Sequence, residues 1–134
     1  MLNKILCVDD DPISVMLCRK VIMKSNFSRH TDSAQNGEDA LHYFDNLMLS
    51  GNTDYPELIL LDLNMPVMGG WEFLDNFSGS YAAFFPETKV IVLSSTIDPH
   101  DVNKAKTYPM VLDFMSKPIT SEMLEQLKIL LNVN

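Results

Sequence analysis

Short apolar runs at residues 5–8, 58–61, 90–93 and 111–115 alternate along this chain with longer stretches of mixed polarity. Runs of that length predict strands buried on both faces, and the intervening stretches are long enough for helices, so the pattern predicts an α/β fold with a parallel sheet. The more polar Ser28–Ala34 is expected as a further strand, partly because the βαβ context requires one. Asp11-Pro12 resembles a cap followed by proline in a first helical turn, and Ile13, Met16, Leu17 and Val21 then recur at helical spacing, predicting a helix that ends near Asn26. Asn36-Gly37-Glu38 leads into a second helix with Ala40, Leu41, Phe44 and Leu47 on one face. Residues 65–70 contain a proline and two glycines and are expected to be irregular, with a short third helix carrying Trp71, Phe73, Leu74 and Phe77 after them.

Asp98-Pro99 opens a fourth helix that Pro109 should stop, and Thr120-Ser121-Glu122 opens a last one with Met123, Leu127, Leu130 and Leu131 inward. Residues 78–88 fit no single pattern, and Tyr81, Phe84 and Phe85 are expected in the core.

At 134 residues and 46% hydrophobic content the chain reads as one domain over 1–134, with no second module. No apolar stretch approaches the roughly 18–20 residues of a membrane span. Met1-Leu2-Asn3-Lys4-Ile5 runs straight into a strand rather than a signal peptide, so a cytoplasmic location is expected. A net charge of −8 argues against direct nucleic-acid binding and is compatible with a divalent cation. Cys7 and Cys18 read as reduced thiols in or near the core, and His30, His42 and His100 as surface or loop residues.

Each apolar run ends on a residue suited to phosphate or metal: Asp9-Asp10-Asp11, Asp62, Ser94-Ser95-Thr96 and Ser116-Lys117. In open α/β sheets ligands bind at the carboxyl ends of the strands, where these residues converge. Asp11 is accounted for as a helix cap. Carboxylates about 5 Å apart repel by roughly 3 kcal/mol at an effective dielectric near 20, which invites a hard cation. Mg²⁺ fits, since it takes one or two carboxylates together with water and phosphate oxygens. With Lys117 as a positive charge and Ser94 as a hydroxyl donor, Asp62 could attack phosphorus to form an aspartyl phosphate.

Over essentially its whole length the sequence resembles the receiver domain of two-component response regulators. The resemblance is carried by Val8-Asp9-Asp10-Asp11-Pro12, Leu61-Asp62-Leu63-Asn64-Met65-Pro66, Gly69-Gly70, Leu93-Ser94-Ser95 and Lys117-Pro118. It implies a flavodoxin-like (βα)5 fold of strand order 2-1-3-4-5, and Asp62 as the acceptor of phosphate from a sensor histidine kinase or histidine phosphotransfer protein. It implies Mg²⁺, with Mn²⁺ able to substitute, on Asp10, Asp62 and the backbone carbonyl of Asn64, with Asp9 acting through water.

By the same resemblance Ser94 and Lys117 bond phosphoryl oxygens, Phe114 is an aromatic switch that follows Ser94, and the Lys117-Pro118 bond is cis. Output then passes to a downstream protein, or the phosphate is relayed. Gly69 stands where many receivers carry aspartate, which should loosen that loop, and Tyr108-Pro109 replaces a small-residue segment. Asn64 and Thr96 occupy places that influence dephosphorylation. Three rival readings are a haloacid-dehalogenase-like phosphatase using Asp9-Asp10-Asp11, a receiver that signals by binding without phosphorylation, and an FMN-binding flavodoxin.

Overall fold

The computed structural model describes residues 1–51 and 53–133. In chain order it comprises β1 (Leu2–Val8), α1 (Pro12–Lys24), β2 (Ser28–Ala34), α2 (Gly37–Ser50), β3 (Leu58–Asp62), α3 (Gly70–Ser80), a 3-10 turn (Ala82–Phe84), β4 (Lys89–Ser94), α4 (Pro99–Ala105), β5 (Val111–Ser116) and α5 (Ser121–Leu131). All strand pairs are parallel, as the apolar runs predicted, and the order is β2-β1-β3-β4-β5, as the resemblance implied. Among the described residues no helix is long and apolar enough to cross a membrane.

Alternation along the strands divides the interior into two layers. Leu6, Val8, Ile59 and Leu61 face α2 and α3, where Phe44, Phe73 and Phe77 fill the space. Ile5, Cys7, Leu58 and Leu60 face the opposite layer, with Ile22, Leu124 and Leu127 from α1 and α5. Because the central strands are covered on both sides, they read as unbroken apolar runs. The caps stand where the sequence placed them: the side chains of Asp11, Asn36, Asp98 and Thr120 each accept a backbone N–H in the first turn of their helix.

Periodicity located the helices without choosing every buried face, and the packing expectations for α5 and Phe84 are corrected. In α1 the buried residues are Cys18 and Ile22, whereas Ile13, Met16 and Leu17 are 64%, 47% and 46% exposed. That helix has apolar residues on more than one side, so periodicity alone did not choose the inward face. In α5 it is Leu124 that is buried with Leu127, and Leu130 is 51% exposed. Phe85 is buried against Phe44 and Tyr55, but Phe84, at the end of the 3-10 turn, points outward.

The first helix also ends earlier than expected, at Lys24, with Asn26 taking up a left-handed φ of 50° in the turn. His30, His42 and His100 are exposed, as expected. Cys7 and Cys18 are free and buried, and their sulfurs lie 3.6 Å apart across the β1–α1 interface, a contact the sequence did not reveal. That contact and burial push the Cys7 thiol up.

Candidate functional site

Parallel register places the strand ends side by side. Val8 pairs with Leu61, Asp62 with Leu93, and Ser94 with Ser116, so the residues at and just beyond these ends share one edge. One carboxylate oxygen from each of Asp9, Asp10 and Asp62 falls within 4.8 Å of the others, an all-oxygen donor set suited to a hard divalent cation. Asp62 is buried, Asp9 half-buried and Asp10 exposed, giving the cluster a gradient from interior to solvent. Lys117 reaches in from beyond β5, its Nζ 2.7 Å from Asp9 Oδ2 and 3.5 Å from Asp62 Oδ1. In this state the lysine is therefore held more closely by Asp9 than by Asp62.

Burial raises the pKa of Asp62, and the Asp9 charge adds to the rise, while Lys117 and the backbone N–H of Asn64 oppose it. For Lys117 burial acts downward, but the carboxylates of Asp9 and Asp62 outweigh it and the net shift is upward. The other oxygen of Asp9, Oδ1, accepts the N–H of Asp11 at 3.0 Å, and Asp11 in turn caps α1 by accepting from Ile13 at 3.0 Å. The acidic cluster is thus tied to the start of α1.

Ser94 is buried at the end of β4, where its Oγ accepts the N–H of Thr96 at 3.3 Å, and its carbonyl accepts the N–H of Lys117 at 2.8 Å. The Lys117-Pro118 bond is cis. Phe114, half-buried on β5, pairs with Val92 and packs on the layer that holds α2 and α3.

The loop after Asp62 is fastened by backbone. Met68 N–H donates to Pro66 at 2.7 Å, Gly37 N–H to Met68 at 2.8 Å and Gly70 N–H to Leu63 at 2.9 Å. The first of these closes a γ-turn around Val67, whose φ is 67°. Gly70 lies so close to the strand end that a Cβ there would meet the Asp62 carbonyl at 2.7 Å, which requires glycine. Gly69 caps α3 without a side-chain bond, so α3 starts on packing and backbone contacts alone.

Further along, Trp71 of α3 stacks on Tyr108 at 6.0 Å, Lys104 of α4 sits 4.6 Å over the Trp71 ring, and Tyr108 donates to Asp75 at 2.6 Å. Tyr108-Pro109 stood out in the sequence as a departure, but the aromatic stack it completes did not.

A family model for the response regulator receiver domain matches residues 5–128. The chain belongs to that family. This receiver domain is 30% identical to the two-component response regulator ORR41 of Oryza sativa subsp. japonica over 121 residues, covering 90% of this chain and 87% of the relative. It superposes on the crystal structure of a two-component response regulator from Cytophaga hutchinsonii with a TM-score of 0.88 and 31% identity, covering 98% of each chain. It also matches the phosphorylated cyanobacterial phytochrome response regulator RcpA with a TM-score of 0.76 and 25% identity, covering 96% of this chain and 90% of the other. The fold is that of CheY-like receivers. Receivers are signalling domains rather than conventional enzymes, which sets aside the phosphatase and flavodoxin readings of the sequence.

Proposed function

We propose that this receiver accepts a phosphoryl group on Asp62 from the phosphohistidine of a sensor histidine kinase or histidine phosphotransfer protein. The observation that carries the reading is the convergence on Asp62, where Asp9 and Asp10 supply neighbouring carboxylates and Lys117 lies 3.5 Å away. An Asp62 carboxylate oxygen attacks phosphorus, the P–N bond to the donor imidazole breaks, and the imidazole leaves. Ser94 and Lys117 bond the transferred oxygens, so that the chain contributes mainly positioning and charge stabilisation.

Mg²⁺, or Mn²⁺ in its place, would be held by Asp10, Asp62 and the backbone carbonyl of Asn64, with Asp9 acting through water. When bound it supplies charge neutralisation for the cluster and the transferring group. Lys117, now 2.7 Å from Asp9 Oδ2, would turn from that carboxylate toward the new phosphate.

Phosphorylation then biases a two-state equilibrium in which Phe114 follows Ser94 and the α4–β5–α5 face is reshaped. Residues 1–134 act in this reading as a receiver working in the cytoplasm. Output goes to a downstream protein or onward by phosphotransfer. The phosphorylated state of the related cyanobacterial regulator supports acceptance as a property of this architecture.

Incubation with acetyl phosphate tests the reading. Label should be incorporated only with Mg²⁺ present, and should be lost on chelation and in Asp62→Asn while the circular dichroism stays native. Acceptance of label by the Asp62→Asn variant would overturn the assignment.

A further inference from the structure

We propose that Cys7 and Cys18 form a reversible oxidation site, in which a peroxide-class oxidant joins them in a disulfide between β1 and α1 that slows phosphoryl acceptance at Asp62. The second half of this statement rests on the acceptor reading above; the first does not.

The two sulfurs are already in contact at 3.6 Å. A disulfide needs about 2.05 Å, so closure requires a movement of only about 1.5 Å. Although Cys7 and Cys18 are 3% and 8% exposed, both line a cavity of about 270 Å³ that also reaches Asp9, Asp62 and Lys117. A small neutral peroxide therefore has a route to the pair along the same cavity that reaches the acidic cluster.

The chemistry is self-contained once the peroxide is supplied. One sulfur attacks a peroxide oxygen, the O–O bond breaks, and the departing hydroxide takes the thiol proton as water, leaving a sulfenic acid. The neighbouring sulfur then attacks that sulfur, the S–O bond breaks, and the hydroxyl leaves as a second water with the remaining thiol proton. Two electrons and two hydrogens pass from the thiols to the peroxide.

Coupling to the site follows from connectivity. Cys7 stands two residues before Asp9 on the β1 path. Cys18 belongs to α1, whose capping residue Asp11 donates its N–H to Asp9 Oδ1 at 3.0 Å. Drawing α1 onto β1 displaces Asp9 from both sides, and Asp9 is the residue that holds Lys117. Cores usually bury cysteines as inert small apolar groups, which is the competing account of the pair.

The test treats the folded protein with hydrogen peroxide, denatures it in an alkylating reagent and weighs it intact. The proposal expects the mass to fall by two hydrogens with no alkylation, a peptide pair joined through Cys7 and Cys18, and reversal by dithiothreitol. Acetyl phosphate labelling should be several-fold slower in the oxidised protein, recover on reduction, and keep its rate in peroxide-treated Cys18→Ala. Two alkylated thiols after peroxide treatment would overturn the oxidation site, and a disulfide with an unchanged labelling rate would overturn the coupling. If reduced protein takes up no label, the acceptor reading fails while the mass result still decides the thiol pair.

Discussion

Asp62 carries its charge at a cost in the metal-free protein. Burial holds its pKa above the ordinary carboxylate value despite Lys117, so the folded state binds that proton more tightly than the unfolded chain. Such a group's contribution to stability is complete below the ordinary carboxylate range and is lost as pH rises through its raised folded pKa. Asp62→Asn should therefore raise Tm in metal-free buffer at neutral pH. The gain should shrink as the pH is lowered toward the carboxylate range, as followed by thermal unfolding of both proteins.

Val67 presents a different kind of local cost. A β-branched residue at φ 67° is strained, by about 1–3 kcal/mol, and its side chain is 74% exposed and contributes little packing. Val67→Gly, which has no Cβ to strain at that φ, should stabilise the protein by about 1 kcal/mol in urea unfolding.

At this scale the gathering of Asp9, Asp10, Asp62, Ser94 and Lys117 along one sheet edge was legible in the sequence, because each stands at or just beyond the end of an apolar run. The ion pair of Lys117 with Asp9 was not legible. It joins residues 108 positions apart, and nothing in the pattern distinguishes which of three carboxylates a lysine at this edge will choose.

The helices show where periodicity stops being informative. α2 was read correctly because its apolar positions form one stripe, with Ala40, Leu41, Phe44 and Leu47 all buried. α1 has apolar residues on several sides, and its inward face was set by what β1 offers, namely Cys7 against Cys18.

Between α3 and α4 the outcome depended on long-range aromatic contacts. Trp71, Tyr108 and Lys104 make a stack that Asp75 fastens through the Tyr108 hydroxyl. Burial and that hydrogen bond push the Tyr108 phenol up to about 12. A raised phenol contributes stability below the ordinary tyrosine range and loses it as pH rises through the folded value. Tyr108→Phe keeps the stacking but removes the bond to Asp75. It should cost about 1 kcal/mol at neutral pH, and the difference from the parent should narrow in alkali. Chemical denaturation at several pH values checks both parts.

For the whole molecule, the fold was the most legible feature of the chain. Central strands covered on both sides must be continuously apolar, and a parallel sheet places their carboxyl ends together, so the same pattern that gives the architecture also gives the edge where the candidate residues meet. The charge of −8 fits this arrangement, with part of it concentrated where a cation would be held.

What links the fold to signalling is the identity of the acceptor, and chemical trapping addresses it directly. Protein treated with acetyl phosphate and Mg²⁺ is reduced with borohydride, which converts an aspartyl phosphate to homoserine, and the peptides are sequenced by mass spectrometry. The account predicts homoserine at position 62 alone. Homoserine at position 9 or 10, or phosphate retained on a histidine with Asp62 unchanged, would contradict it.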